Sequence, residues 1–214
     1  MKGTRENMIH AAVILTLFAF AGTSLLSFTH EATKDRIKSN ERDALLRSLH
    51  HIIPSERHDN DIYNDNISIL SPELLGSNDA VKVYIARKQG KPVAAVFNSI
   101  APNGYNGAIN LLVGINMEGQ LTGVRVIKHM ETPGLGDVID EQRSDWILGF
   151  TGKSLGQPAE KYWKVKKDGG HFDQFTGATI TPRAVVKAVR NTLLYFKANK
   201  QNLFAVTGKD KTDE

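Results

Sequence analysis

The residues able to do chemistry in this 214-residue chain gather in a few glycine-rich stretches. The run Asp173-Gln174-Phe175-Thr176-Gly177-Ala178-Thr179-Ile180-Thr181-Pro182 leads into a helix. Thr181 offers an N-cap hydroxyl there, and Pro182 suits the first helical position. Ala184, Val185, Ala188, Val189, Thr192, Leu193 and Phe196 then recur at helical spacing, with Arg183, Lys187, Arg190 and Lys197 on the other faces. A helix start presents free peptide N–H groups and the positive end of the dipole, so the chemistry it favours is capture of an anion. Gly177 and Ala178 carry almost no side chain and let a bulky group approach the backbone. The same residues would also serve as an ordinary loop and capped helix. Local physics alone does not separate the two readings.

Two further stretches belong with this one. Glu131-Thr132-Pro133-Gly134-Leu135-Gly136 falls between a strand and a helix, and its glycines permit close approach to a flat ligand. It is neither a G-x-G-x-x-G fingerprint nor a phosphate loop, which argues against dinucleotide binding of those kinds. Gly104-Tyr105-Asn106-Gly107 precedes the most apolar strand and on spacing alone reads as a connector. His129 and Glu131 share one strand face as a possible acid–base or metal pair, but a third ligand is missing nearby. His50, His51 and His58 lie in helix or loop. Lys164, Lys166, Lys167 and His171 form a basic run whose default reading is a solvated face.

These stretches must be positioned by the elements around them. Ile9 to Phe28 carries no charged residue, a proton on His10 aside. At ~1.5 Å per residue it spans about 30 Å, the hydrocarbon thickness of a bilayer. Ala19-Phe20-Ala21 resembles a signal-peptidase site, yet the apolar stretch continues through Leu25, Leu26 and Phe28, which favours an uncleaved anchor. Glu31 to Ile53 reads as a helical stalk, and residues 54–79 as irregular. Val81–Ala86 and Val93–Phe97 flank Gln89-Gly90-Lys91-Pro92 as a hairpin. Ala108–Ile115 and Leu121–Ile127 extend it to a four-stranded antiparallel meander. Val138, Ile139, Trp146 and Ile147 predict a helix over about 137–148, with a short strand at 162–165. The expected class is α+β: one transmembrane helix, then an antiparallel sheet with packed helices. The expected organisation is 1–8, a span at 9–28, a stalk at 29–53, a domain at 54–206 and a loose tail at 207–214.

Composition excludes several classes. There is no cysteine, so disulfides, thiolate catalysis and iron–sulfur ligation by this chain are ruled out. The net charge of +4 is scattered over 27 basic and 23 acidic residues, with no stripe for nucleic acid.

Asp-x-x-Ser/Thr-Gly-Ala-Thr resembles the flavinylation motif of the FMN-binding domain family, and Asp173, Thr176, Gly177, Ala178 and Thr179 fill every specified position. With Asn103–Gly107, Glu131–Gly136 and Lys166-Lys167-Asp168-Gly169-Gly170, the chain is similar to the G subunits of bacterial Rnf/Rsx electron-transport complexes. The resemblance implies one FMN joined through its phosphate to the Thr179 hydroxyl by a flavin transferase that uses FAD and Mg²⁺. Asp173 would help present Thr179. The loops at Gly104, Tyr105 and at Glu131, Thr132, Pro133, Gly134, Leu135 would line the flavin beside Thr176–Ala178. One of Lys166, Lys167 or Arg183 would neutralise the phosphate.

The resemblance further implies an inner-membrane subunit with a cytoplasmic N-terminus and a periplasmic domain. Lys2 and Arg5 before the span and Lys34, Arg36 and Lys38 after it do not settle the orientation. Other complex subunits and lipid would be its partners, and it would relay electrons as part of a redox-driven ion translocase. The complex would couple ferredoxin–NAD chemistry to ion movement or reduce a redox-sensing regulator. Two other classes stay open: a stand-alone membrane-anchored flavin reductase, and a non-redox anchored binding module.

Overall fold

The computed structural model describes residues 2–205, without the side chains of Lys2, Thr4, Arg5, Glu6 and Ala205; the expected tail at 207–214 lies outside the described residues. The chain divides into two units, Met1–Leu45 and Leu46–Glu214.

The described residues of the first unit lie within helix α1 (Lys2–Ile52), which runs unbroken through the expected span and to Ile52 of the expected stalk. Its apolar residues point all round: Val13, Leu15, Leu17, Phe18, Phe20, Leu25, Leu26 and Phe28 are all exposed. A helix with exposed apolar side chains on every side is suited to hydrocarbon. Thr16, Thr23, Thr29 and Thr33 donate their hydroxyls to carbonyls four residues back, so these O–H groups need no water. This helix is long and apolar enough to cross a membrane.

The second unit is built on a five-stranded antiparallel sheet in simple order: β1 (Asn66–Ile69), β2 (Val81–Lys88), β3 (Lys91–Ala101), β4 (Ile109–Asn116) and β5 (Leu121–Lys128). Gln89 and Gly90 both take positive φ, 52° and 75°, the two-residue turn whose twist matches the flanking strands. The short helix α2 (Pro72–Leu75) joins β1 to β2. Residues 54–79, expected to be irregular, therefore contain an edge strand that four residues were too few to disclose.

Both faces of the sheet are covered. One carries Val83, Ile85, Phe97, Leu111, Val113 and Ile115 into the main core, under helix α3 (Ile180–Ala205). Phe97 meets Tyr195 and Phe196 edge to face, and Thr192 donates to Ser99 at 2.9 Å inside that layer. The other face bears buried Tyr84, Val96 and Leu112, with Ile52 pressed into the gap left by Gly114. Burial on both faces explains why Leu111–Ile115 reads as a continuous apolar run instead of an alternation.

Three expectations need correction. The helix over 137–148 is two turns of 3-10 helix, Gly136–Ile139 and Asp145–Phe150. Local side-chain bonds break it: Asp140 Oδ1 accepts from Gln142 N, while Ser144 Oγ donates to the Val138 carbonyl and accepts from Trp146 N. The strand at 162–165 is a 3-10 turn (Glu160–Tyr162) and a single bridge from Val165 to Phe172. Three residues of turn leave only Val165 extended, and its bridge partner is Phe172. Helix α3 begins at Ile180, not Pro182, and extends past 197.

The fit of Ile52 against Gly114 generates a test. A Cβ on Gly114 would collide with the Ile52 side chain and the Thr122 hydroxyl. Ile52→Ala should cost ~2–4 kcal/mol in urea unfolding, and Gly114→Ala ~1–3 kcal/mol. The double variant should lose less than the sum, because the smaller side chain vacates the space the methyl needs. Simple additivity would refute the contact.

Candidate functional site

Three segments of the second unit meet at the start of α3. The first is the hairpin that precedes it. Ala178 N donates to Phe175 O at 3.2 Å, with Thr176 and Gly177 at the exposed tip. Gly177 has φ of +81°, the left-handed value this turn demands at its third position. Aromatic packing fixes the hairpin's base. The Trp146 indole N–H donates to Asp173 O at 3.0 Å, and its ring meets Phe175 edge-on at 5.1 Å. Trp146 also lies edge-on to Phe150, which stacks on Phe172 at 4.6 Å.

At the helix start, Thr179 O accepts from Arg183 N at 3.4 Å, so Thr179 occupies the cap position. Thr181, expected as the cap, is two residues further in, within the first turn of the helix, and fully buried, and its hydroxyl donates to Glu131 Oε2. The expectation failed because that acceptor lies fifty residues away in sequence.

Glu131 belongs to the second segment and is itself 4% exposed. Its other oxygen accepts from the Asn106 N–H at 3.1 Å, which brings in the third segment, the 104–107 turn. Asn106 also reaches Thr132 Oγ1 through its amide at 3.1 Å. The Thr132 carbonyl in turn receives Leu135 N and Gly136 N, which folds the 131–136 loop on itself. The Gly134 N–H donates to Asp137 Oδ1 at 2.8 Å. Here the glycines are sterically required. A Cβ at Gly104 would lie 2.9 Å from Glu131 Oε1, and one at Gly136 would lie 2.8 Å from Oε2. His129 Nδ1 accepts the backbone N–H of Glu131, so it orders the loop and does not face the carboxylate as a co-ligand.

Together the segments frame a cleft of about 300 Å³. Tyr105, Glu131, Thr132, Leu135, Gly177, Ala178 and Thr179 line it, joined by Gly136, Ile180 and Thr181. Tyr105, Leu135 and Ile180 are 64%, 45% and 46% exposed, an apolar rim left open to solvent. Gly104, Pro133 and Gly134 shape the loops without lining the cleft.

Two of the cations beside the motif are paired. Lys166 pairs with Asp173 at 2.5 Å, and both are well exposed. Arg183 grips Asp168 with two bonds of 2.5 and 2.6 Å. That hydrogen bonding, more than the surrounding charge, holds the Asp168 carboxyl below its ordinary range. The Lys167 backbone N–H donates to Gln174 Oε1. Asp173, Thr176, Lys166, Lys167 and Arg183 are not among the residues that line the cleft. Asn106, Trp146 and Thr181 hold the site together, and sequence spacing alone does not disclose them.

Residues 104–194 match the FMN-binding domain family, and residues 1–52 match the RnfG N-terminal region. The G subunit of the ion-translocating oxidoreductase complex of Shewanella baltica is 49% identical over 202 residues, covering 94% of this chain and 95% of that protein. The corresponding protein of Pseudomonas aeruginosa is 47% identical, covering 94% of each chain. That of Vibrio atlanticus is 49% identical, covering 90% of this chain and 92% of its own. With a helix fit to span a membrane ahead of a matched FMN-binding domain, the chain belongs to the family of G subunits of ion-translocating oxidoreductase complexes.

Proposed function

We propose that the chain carries one FMN esterified through its phosphate to Thr179, and that it relays electrons within a membrane-bound ion-translocating complex. The observation that carries this reading is the placing of the Thr179 residue. It caps α3, lines the cleft, and follows an exposed hairpin of small residues. The surroundings fit such a group. A phosphate on Thr179 would sit where Ile180 and Thr181, the first residues of the helix, have peptide N–H groups without intrahelical acceptors. Gly136, Gly177 and Ala178 leave the walls thin, and Tyr105 and Leu135 offer apolar surface for a flat ring. Lys166 and Arg183, each paired with an aspartate, and the Lys167 ammonium would add positive potential from outside.

A bound flavin supplies what no side chain here offers, acceptance and release of electrons singly or in pairs. The chain's part is to hold it and leave it reachable. In maturation the Thr179 oxygen attacks the FMN-side phosphorus of FAD. An O–P bond forms as the pyrophosphate bond breaks, AMP leaves with the electron pair, and the hydroxyl proton passes to a base or water. An FAD- and Mg²⁺-dependent flavin transferase would assist, reaching the hairpin where Thr176 and Asp173 are exposed. A tethered group stays in an open cleft from which a dissociable one would be lost. We assign residues 1–8 to the cytoplasm, 9–28 to the bilayer and the domain to the periplasm, with the other complex subunits as electron partners. Ferredoxin–NAD chemistry coupled to ion movement, or reduction of a redox-sensing regulator, is the work such a relay would serve.

Two measurements test this. Full-length protein made with the transferase should gain the mass of one FMN and fluoresce after denaturation, and Thr179→Ala should lower both to background. An adduct that persists in the variant would remove the assignment. The chain has no cysteine, so Asn78→Cys, exposed in the β1–β2 connection, gives a single reactive thiol. A membrane-impermeant maleimide should label it in cells whose outer membrane alone is permeabilised. Labelling only after the inner membrane is broken would reverse the orientation.

A further inference from the structure

Glu131 is a carboxylate with nine-tenths of its surface removed from water and, among the described residues, no cation at ion-pair distance. Such a group is costly to bury unless its oxygens are satisfied. Both are, by donors from two different segments: the Asn106 N–H on Oε1 and the Thr181 hydroxyl on Oε2. Gly104 and Gly136 crowd it so closely that neither can carry a side chain without moving the carboxylate. Thr181 is two residues beyond Thr179 in the same helical turn, so the bond at Oε2 fixes that turn relative to the cleft.

We infer that Glu131 is the positioning residue for attachment at Thr179. It locks the first turn of α3 to both cleft loops and so aims the Thr179 oxygen. This inference rests on the attachment reading above. Among the described residues, the Glu131 carboxylate is hydrogen-bonded to Asn106 and Thr181 and not to Thr179. Its effect passes through Thr181 and the backbone between the two threonines. A misdirected nucleophile loses rate even where binding is intact, since a small displacement from attack geometry costs orders of magnitude. The surface that a transferase would grip, the 173–177 hairpin, is held instead by Trp146 and Phe175.

The chemistry of the two contacts also says which replacement should succeed. In Glu131→Gln the new amide could accept from the Asn106 N–H with its oxygen and donate to Thr181 Oγ1 with its nitrogen, because a hydroxyl takes either role. Glu131→Ala would abandon both contacts. Thr181→Val would remove one while keeping the shape of threonine.

The experiment uses full-length protein in detergent, made without the transferase, then given transferase, FAD and Mg²⁺ while the FMN adduct is followed by intact mass. Glu131→Ala and Thr181→Val should each lower kcat for attachment about tenfold or more, with KM for the acceptor chain unchanged within about twofold. Glu131→Gln should keep at least about half of the wild-type kcat, the rescue that geometry predicts. Should Glu131→Ala fail to fold by circular dichroism, Thr181→Val and Glu131→Gln carry the test between them. Wild-type kcat in Thr181→Val, a change confined to KM, or Glu131→Gln as slow as Thr181→Val would each overturn the inference. No FMN mass on the wild type would instead overturn the attachment reading, a separate result.

Discussion

Two oxygens of one buried carboxylate join the segments that make the cleft. Glu131 takes a peptide N–H from the 104–107 turn and a hydroxyl from the first turn of α3, while its own backbone starts the 131–136 loop. Segments separated by 25 and 50 residues thereby acquire fixed relative positions. In water these bonds would exchange for solvent bonds at little net gain. Buried, their loss would strand a carboxylate and two donors, so the arrangement has few alternatives. Gly136 follows from this contact, because the Glu131 side chain occupies the volume its own would need, and at Gly104 the Gly107 carbonyl closes the space together with the carboxylate.

Around that contact the sheet acts as a platform with two covered faces. α3 lies across one and the last turn of α1, at Leu49 and Ile52, fills the other. The long β3–β4 connection and the stretch after β5 emerge at the same end of the sheet, since adjacent antiparallel strands place alternate connections together. The cleft is built where these connections meet the start of α3. Rigid strands carry it, while the motif hairpin at its mouth is held by Trp146 and Phe175 and left open at its tip.

The site contains little that could serve as acid, base or nucleophile toward a substrate. Its polar groups are tied into the scaffold: Glu131 to Thr181 and Asn106, Asp168 to Arg183, Asp173 to Lys166. The surface left for a ligand is a threonine hydroxyl, thin backbone walls and an apolar rim. Such a lining suits holding a group that brings its own reactivity, in keeping with membership of an oxidoreductase complex.

Much of this was legible in the residues. A run of apolar side chains long enough for a bilayer, hairpin strands around Gln89-Gly90 and a motif ending at Thr179 are local patterns, and local patterns report local physics. The α+β class came from the same source, while the part given to the 104–107 and 131–136 loops came from the family resemblance. What the chain's order could not convey were the partners across long separations. Thr181 had every local mark of a cap, yet its hydroxyl belongs to Glu131, and the cap position passes to Thr179. Val138, Ile139, Trp146 and Ile147 had helical spacing, but Asp140 and Ser144 divert the backbone into short turns and free Trp146 to brace the motif. Periodicity measures which face of an element can be buried. Which donor meets which acceptor is settled only when the folded chain excludes water from between them.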